Sequence, residues 1–294
     1  MTAPRRILPG ATYLVTRRCS QRQLLLRPSK LTNQLVGYLL AVAARRYGVQ
    51  IHAFCVMSNH LHLVLTDPAA RLPAFSQYFA SLVARSVNAA LGRWESFWAP
   101  ASYSAVSLQT PTDVIEKAAY VLANPVAAGL VGRGRQWPGL WSAPDQVGGG
   151  ELEFRRPDHF FRAKAVMPER ATLELSAPPG FDSSAEFRRA LSIALADLEN
   201  AAAAQGDGFL GATRVLAQRP TTRPRSSEPR RTLNPRVACR DKWKRIEVLG
   251  RLVEFLREYR EAWRAWRSGA SGVVFPAGTY LVRVTHGVAC AAAG

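Results

Sequence analysis

Cys55-Val56-Met57-Ser58-Asn59-His60-Leu61-His62-Leu63-Val64-Leu65 is a run of apolar, mostly β-forming residues that holds two histidines two positions apart. A strand turns successive side chains to opposite faces, so Leu61, Leu63 and Leu65 share one face and His60 and His62 the other. The leucines belong to a core, and the two imidazoles stand with their backbones about 6.6 Å apart along the strand. Such a pair can hold one metal ion, or it can be two ordinary half-buried histidines.

Working outward, residues 12–19 alternate between apolar and polar side chains and read as a first strand, ending in the basic group Arg17, Arg18 and, beyond it, Arg22. A helix follows, capped by Ser29 or Thr32, with Leu35, Leu39, Val42 and Ala43 at helical spacing and Gly48 as its stop. Residues 49–57 form a second strand, joined through the short Ser58-Asn59 link to the histidine strand as a hairpin. Residues 73–91 form a second helix entered at Pro73, with Phe75, Phe79, Leu82 and Val83 on one face. Residues 94–108 contain a fourth strand. The order strand, helix, strand, strand, helix, strand is that of a ferredoxin-like α+β fold, an antiparallel sheet with helices on one face. The leucines then face the helices, and His60 and His62 face the open side.

At 294 residues the chain suits two domains, with a boundary near residue 145 where the composition loosens towards Gly148-Gly149-Gly150. Its formal charge is +18, and 34 of its 39 basic residues are arginine, the side chain best matched to bidentate phosphate contacts. Nucleic acid is therefore the leading partner, although an arginine-rich proteome also raises such a charge. No apolar run is long enough to span a bilayer and the N-terminus has no signal-peptide core, so no membrane partner and a cytoplasmic location are expected. The four cysteines lie far apart with no Cys-x-x-Cys, which argues for free thiols rather than a zinc knuckle or disulfides.

A third helix spans residues 112–123, with Ile115, Ala118, Ala119 and Leu122 as its apolar stripe. Asp113, Glu116, Lys117, Tyr120 and Asn124 fall together on its polar side. Pro125 disfavours helical geometry at Asn124, so the helix is expected to end there. By pattern alone Tyr120 is a surface or interface aromatic and Asn124 a helix cap.

The histidine stretch resembles the Met-Pro-Asn-His-hydrophobic-His-Leu signature of single-tyrosine HUH transposases. The run Tyr120-Val121-Leu122-Ala123-Asn124-Pro125-Val126-Ala127-Ala128-Gly129-Leu130-Val131 resembles a second signature of that family, especially its REP-associated branch within the IS200-like transposases. The resemblance covers about residues 10–140, with Ser58 standing where the family often has proline. It implies that His60 and His62 hold a divalent ion, that Asn124 completes the metal shell, and that Tyr120 is the nucleophile. Enzymes of this kind cut single-stranded DNA beside hairpins and leave a 5′-phosphotyrosine and a free 3′-hydroxyl. Imidazole is not a favoured magnesium ligand, so Mn2+, or Mg2+ completed by phosphate oxygens, fits the pair best. The implied protein is a monomer or homodimer. A DNA- or RNA-binding regulator on the same fold, without transposition, is the alternative.

In the second half, residues 184–204 form a helix with Phe187, Leu191, Leu195 and Leu198 on one face. Residues 214–245 carry eleven basic and two acidic side chains interrupted by four prolines. They read as an extended arm in which Arg223, Arg225, Arg230 and Arg231 track a phosphate backbone, or as a solvated linker. Arg17, Arg18, Arg22 and Lys117 are the candidate DNA contacts of the first half. Residues 241–267 form a long amphipathic helix whose Trp263 and Trp266 are core residues rather than base-stacking platforms, and residues 273–285 a closing strand or hairpin. Together, residues 146–294 are expected to be a basic, mainly helical accessory region.

Overall fold

The structure is a computed structural model that describes residues 4–162, 166–205, 208–224 and 235–292. Strands β1 (Ala11–Arg18), β2 (Gln50–Met57), β3 (His60–Asp67) and β4 (Ser104–Leu108) pair antiparallel in the order β2-β3-β1-β4. Helices α1 (Lys30–Tyr47) and α2 (Leu72–Ala90) connect them in the ferredoxin-like manner.

Local chemistry accounts for the ends of these elements. The Ser29 hydroxyl accepts the Thr32 amide at 3.0 Å to start α1, and Gly48, at φ 65°, ends it in the left-handed region that costs glycine little. The buried Asp67 carboxylate, the last residue of β3, accepts the amides of Arg71 at 2.9 Å and Leu72 at 2.6 Å, so it supplies acceptors to the entry of α2. Leu61 and Leu63 lie with Val15 against Phe75 and Phe79 of α2, which is the helix-covered face that the alternation required.

The opposite face is not left open. Helix α3 (Pro111–Ala127) runs across it, and α4 (Ser184–Ala204) packs on α3. The expectation that the third helix ends at Asn124 is overturned, because Pro125 lies inside it and the helix continues to Ala127. Proline removes the bond its own amide would donate and crowds the Val121 carbonyl, but the ladder resumes beyond it. The following amides still close, Ala128 onto the Asn124 carbonyl at 3.0 Å and Leu130 onto that of Pro125 at 3.0 Å, before Gly129 turns out at φ 66°. Asp113 also departs from its assigned polar face. It is buried, one oxygen accepts the Thr110 hydroxyl at 2.7 Å, and the other accepts the Arg240 amide at 2.7 Å.

Apolar packing continues past residue 145. Strands β5 (Glu151–Arg155) and β6 (Arg170–Glu174) form a hairpin on α1, where Gly37 leaves room for the Phe154 ring. Leu173, Leu175, Phe187, Leu191 and Val215 are buried in the same core as the sheet. Both edges of the sheet are covered. Residues around Trp141 bridge to Cys55 of β2, and β7 (Val237–Ala238) pairs parallel with β4.

The stretch expected to be an extended arm opens within a short helix, α5 (Ala212–Ala217), and contains β7. Helix α6 (Lys242–Arg267), capped by Asp241, builds a second small core from Phe255, Tyr259, Phe275 and Val282, with Trp263 and Trp266 packed against it. Residues expected as a closing strand or hairpin instead form β8 (Val274–Phe275) and helix α7 (Leu281–His286), and β8 pairs parallel with β9 (Ala289–Cys290). The four cysteines are free thiols.

Candidate functional site

The β3 register brings His60 opposite Met57 and Arg18, and His62 opposite Cys55 and Thr16. Cross-strand partners point to the same face, so the two imidazoles stand together on the face that α3 crosses. Their ring centroids are 4.7 Å apart and the rings are nearly perpendicular, at 87°. His62 is buried, 4% exposed, and His60 is half-buried beside it.

Each ring is held through Nδ1. Thr16 Oγ1 lies 2.9 Å from His62 Nδ1, and Asn59 Oδ1 lies 2.6 Å from His60 Nδ1. That leaves both Nε2 atoms for another partner. Burial pushes the His60 imidazolium down to about 4, with the Arg18 charge adding to the effect and Asn124 opposing it. Burial also lowers His62, and His60 and Arg18 push it the same way. Both rings are neutral at physiological pH, the form that can ligate a cation.

Helix α3 supplies the rest. Its polar residues Tyr120 and Asn124 are one turn apart, and the stripe Ala118, Ala119, Val121 and Leu122 is buried, which turns the polar edge towards β3. The Tyr120 ring lies 5.6 Å from that of His62, and Asn124 Nδ2 lies 3.5 Å from His62 Nε2. Tyr120 remains 44% exposed, so its hydroxyl is open to a large substrate while its ring edge touches the site.

The donor set fits a divalent cation. Among the described residues no group of three histidine, cysteine or carboxylate side chains could hold a metal ion. His60 and His62 therefore need a third donor of another kind. Asn124 stands at the right place, because a half-turn of its amide presents Oδ1 where Nδ2 now meets His62. Two imidazoles and one amide oxygen are a neutral, incomplete shell that leaves positions for phosphate oxygens or water.

The candidate basic residues divide. Arg18 is exposed beside His60, on the site's face. Arg17 points to the other face, where its guanidinium lies 5.3 Å from the Trp98 ring and burial lowers its pKa, so the fold does not bring it to the site. Arg22 lies in the turn beside Asn59, whose side-chain amide donates to its carbonyl at 3.2 Å. Lys117, one turn before Tyr120, pairs with Glu116 at 2.9 Å. Arg223 donates to Gln21 Oε1, and the Thr222 carbonyl accepts the Leu24 amide at 3.0 Å, so the start of the basic stretch rests on the same turn. Arg225, Arg230 and Arg231 lie outside the described residues.

Sequence reasoning passed over Thr16 and Asn59. Thr16 was hidden in the alternation of β1, and no local signal aims it at a histidine 46 positions later. Asn59 was legible as a turn residue and as the asparagine of the histidine signature, with no partner assigned to it.

Fold and site together define a ferredoxin-like α+β protein with an imidazole pair, an amide and a phenol gathered on one face of its sheet. Residues 11–122 match the family model described as Transposase IS200 like. The match takes in His60, His62 and Tyr120 and stops two residues before Asn124. At the coarse level this match supports a transposase-type, DNA-cleaving protein. Among solved structures, the chain is similar to a REP-associated tyrosine transposase bound to a REP hairpin, with 19% identity over 56% of this chain and 100% of that one and a TM-score of 0.42. It is also similar to a protein described as a transposase candidate from Deinococcus radiodurans R1, with 20% identity over 38% of this chain and 89% of that one and a TM-score of 0.30. No curated protein matches the chain.

Proposed function

We propose that the protein cuts and rejoins single-stranded DNA beside hairpins, with Tyr120 as the nucleophile and His60, His62 and Asn124 as the holders of a divalent cation. The observation that carries this reading is the meeting of a strand-borne imidazole pair with a helix-borne phenol and amide some sixty residues later in the chain, each with a free end turned to one place.

In the cleavage step the Tyr120 oxygen attacks a backbone phosphorus and gives up its proton to solvent, to which its exposed side is open. The new O–P bond forms as the P–O3′ bond breaks, and the departing 3′ oxygen takes a proton and becomes a hydroxyl. The DNA 5′ end is left on the tyrosine. Attack by another 3′-hydroxyl runs the same exchange in reverse and frees the phenol, so no outside energy source is needed for rejoining. A bound Mg2+ or Mn2+ supplies Lewis-acid neutralisation of the non-bridging phosphate oxygens. The chain itself holds His60 and His62 neutral by burial, fixes both rings through Nδ1, and sets the Arg18 charge beside them where a phosphate would pass. The short separation of the Tyr120 and His62 rings within one chain supports a tyrosine that serves its own chain's site, in a monomer or in either half of a homodimer.

The test is a denaturing gel of labelled single-stranded DNA carrying hairpins from the protein's own genomic neighbourhood, with Mn2+ or Mg2+. Wild-type protein should form a covalent adduct that maps to the Tyr120 peptide. Tyr120→Phe keeps the ring and loses the oxygen, so it should bind DNA with nearly unchanged affinity and form no adduct. An adduct that survives in Tyr120→Phe overturns the assignment.

A further inference from the structure

Asn59 uses both ends of its side-chain amide. Nδ2 donates to the Arg22 carbonyl at 3.2 Å, and Oδ1 meets His60 Nδ1 at 2.6 Å. The Arg22 carbonyl can only accept, so it fixes which end of the amide faces it, and Oδ1 is left towards the imidazole. An amide oxygen has no proton to give. The ring nitrogen facing it must carry the hydrogen, and the ring's lone pair is then on Nε2. The partner ring is less constrained, because the Thr16 hydroxyl at His62 Nδ1 can donate or accept.

The turn that carries Asn59 does not need asparagine for its backbone. Asn59 is not among the non-glycine residues with positive φ, whereas Gln21 at 51° and Arg22 at 57° both are. The unusual backbone is therefore in the segment that presents the carbonyl. Two further bonds fasten that segment to the turn, Cys19 amide to Asn59 carbonyl at 2.8 Å and Leu26 amide to Ser58 carbonyl at 2.8 Å. Consecutive left-handed non-glycine residues persist where their surroundings over-determine them. Here the result is a carbonyl aimed at one side-chain amide.

We propose that Asn59 is a positioning residue that locks His60 in its Nδ1–H tautomer, with the Gln21-Arg22 turn orienting Asn59, so that His60 presents Nε2 to the cation site. The consequence for metal rests on the proposed function; the tautomer does not. A ligand imidazole whose other nitrogen is fixed by a hydrogen bond is both oriented and made more basic, and losing such a partner weakens metal binding by about tenfold or more.

The experiment is long-range 1H–15N NMR on the metal-free, full-length protein labelled at histidine nitrogen, at pH 7.5, with manganese titrated afterwards and free Mn2+ read by electron paramagnetic resonance. Wild-type His60 should show a protonated Nδ1 and a bare Nε2. Asn59→Ala should release the ring towards the Nε2–H form that unconstrained histidine favours and weaken Mn2+ binding about tenfold. Asn59→Asp keeps an acceptor for Nδ1–H, although it loses the donor to the Arg22 carbonyl, and should favour the Nδ1–H form relative to Asn59→Ala. A wild-type His60 protonated at Nε2 overturns the proposal without recourse to any variant, and so does an Asn59→Ala protein whose His60 tautomer is unchanged. Wild-type protein with the expected tautomer and no Mn2+ uptake supports the hold of Asn59 on His60 and defeats the metal reading instead.

Discussion

His52 gives the fold a built-in sensitivity to acid. It is fully buried within β2, where the pairing with β3 shifts register, and its Nδ1 faces the Ser176 carbonyl at 2.8 Å. A carbonyl only accepts, so Nδ1 carries the proton and Nε2 must accept from Thr66 Oγ1, also at 2.8 Å. The Thr66 hydroxyl in turn stands 2.7 Å from that of Thr12, from which it accepts while it donates to the ring. Burial accordingly holds the imidazolium down at about 4, against 6.5 for the unfolded chain. Between those values the unfolded state binds the proton and the folded state does not, so stability is complete above about pH 6.5, falls as the pH drops towards 4, and is flat for this group below that. The linkage amounts to a loss of roughly 2 kcal/mol between pH 7 and 4.5, approaching roughly 3 kcal/mol in stronger acid. The assay is urea denaturation followed by tryptophan fluorescence at both pH values, for wild type and His52→Gln. The variant should be less stable at pH 7, having lost one of two hydrogen bonds, yet its loss on going to pH 4.5 should be smaller than that of wild type by roughly 2 kcal/mol. His60 and His62 lose stability on the same side of neutrality, and the comparison cancels them. Equal acid losses in the two proteins, or a His52 resonance that titrates near 6.5, would refute the reasoning.

Glu199 on α4 accepts the Gly134 amide at 2.7 Å and pairs with Arg133 at 3.2 Å while almost fully buried, so Glu199→Ala should cost about 1–3 kcal/mol in denaturation, as expected for stranding a buried amide. A β carbon at Gly37 would lie 2.2 Å from the Phe154 ring, so Gly37→Ala should lower stability by about 1–3 kcal/mol through overpacking, and Gly37→Ala with Phe154→Leu should recover part of it. His60→Ala and His62→Ala should each abolish Mn2+ binding by calorimetry, and the double variant should be no worse than either, because one ion is shared; only His62→Ala should also lower the melting temperature appreciably, since that ring is buried. Replacing Arg223, Arg225, Arg230 and Arg231 together by alanine should flatten the slope of log affinity against log salt for single-stranded DNA by about 0.7 for each phosphate the protein no longer neutralises, and an unchanged slope would mark the stretch as a linker.

The period-2 alternation of residues 60–65 and the helical stripes around it determined the ferredoxin-like order, the helix-covered leucine face and the imidazole pair, because each is written within a few residues of chain. The two signatures were equally local, and they marked Tyr120 and Asn124 before any contact between them and the histidines was visible. Tertiary structure alone decided what lies between the elements. Helix α3 continues through Pro125 because the ladder resumes beyond the bond that the proline removes, and that longer helix lies across the face that alternation had left open. Asp113 read as a polar-face residue until the distant Arg240 amide gave it a buried partner, and nothing in the sequence marked His52, whose partner is the Ser176 carbonyl. That Arg17 and Arg18 face opposite ways follows from the alternation of β1, and the fold adds only that Arg17 meets the Trp98 ring. The packing of residues 171–215 into the first half's core could not be read from the glycine run at 148–150, because a turn signal says where the chain bends and nothing about what it returns to.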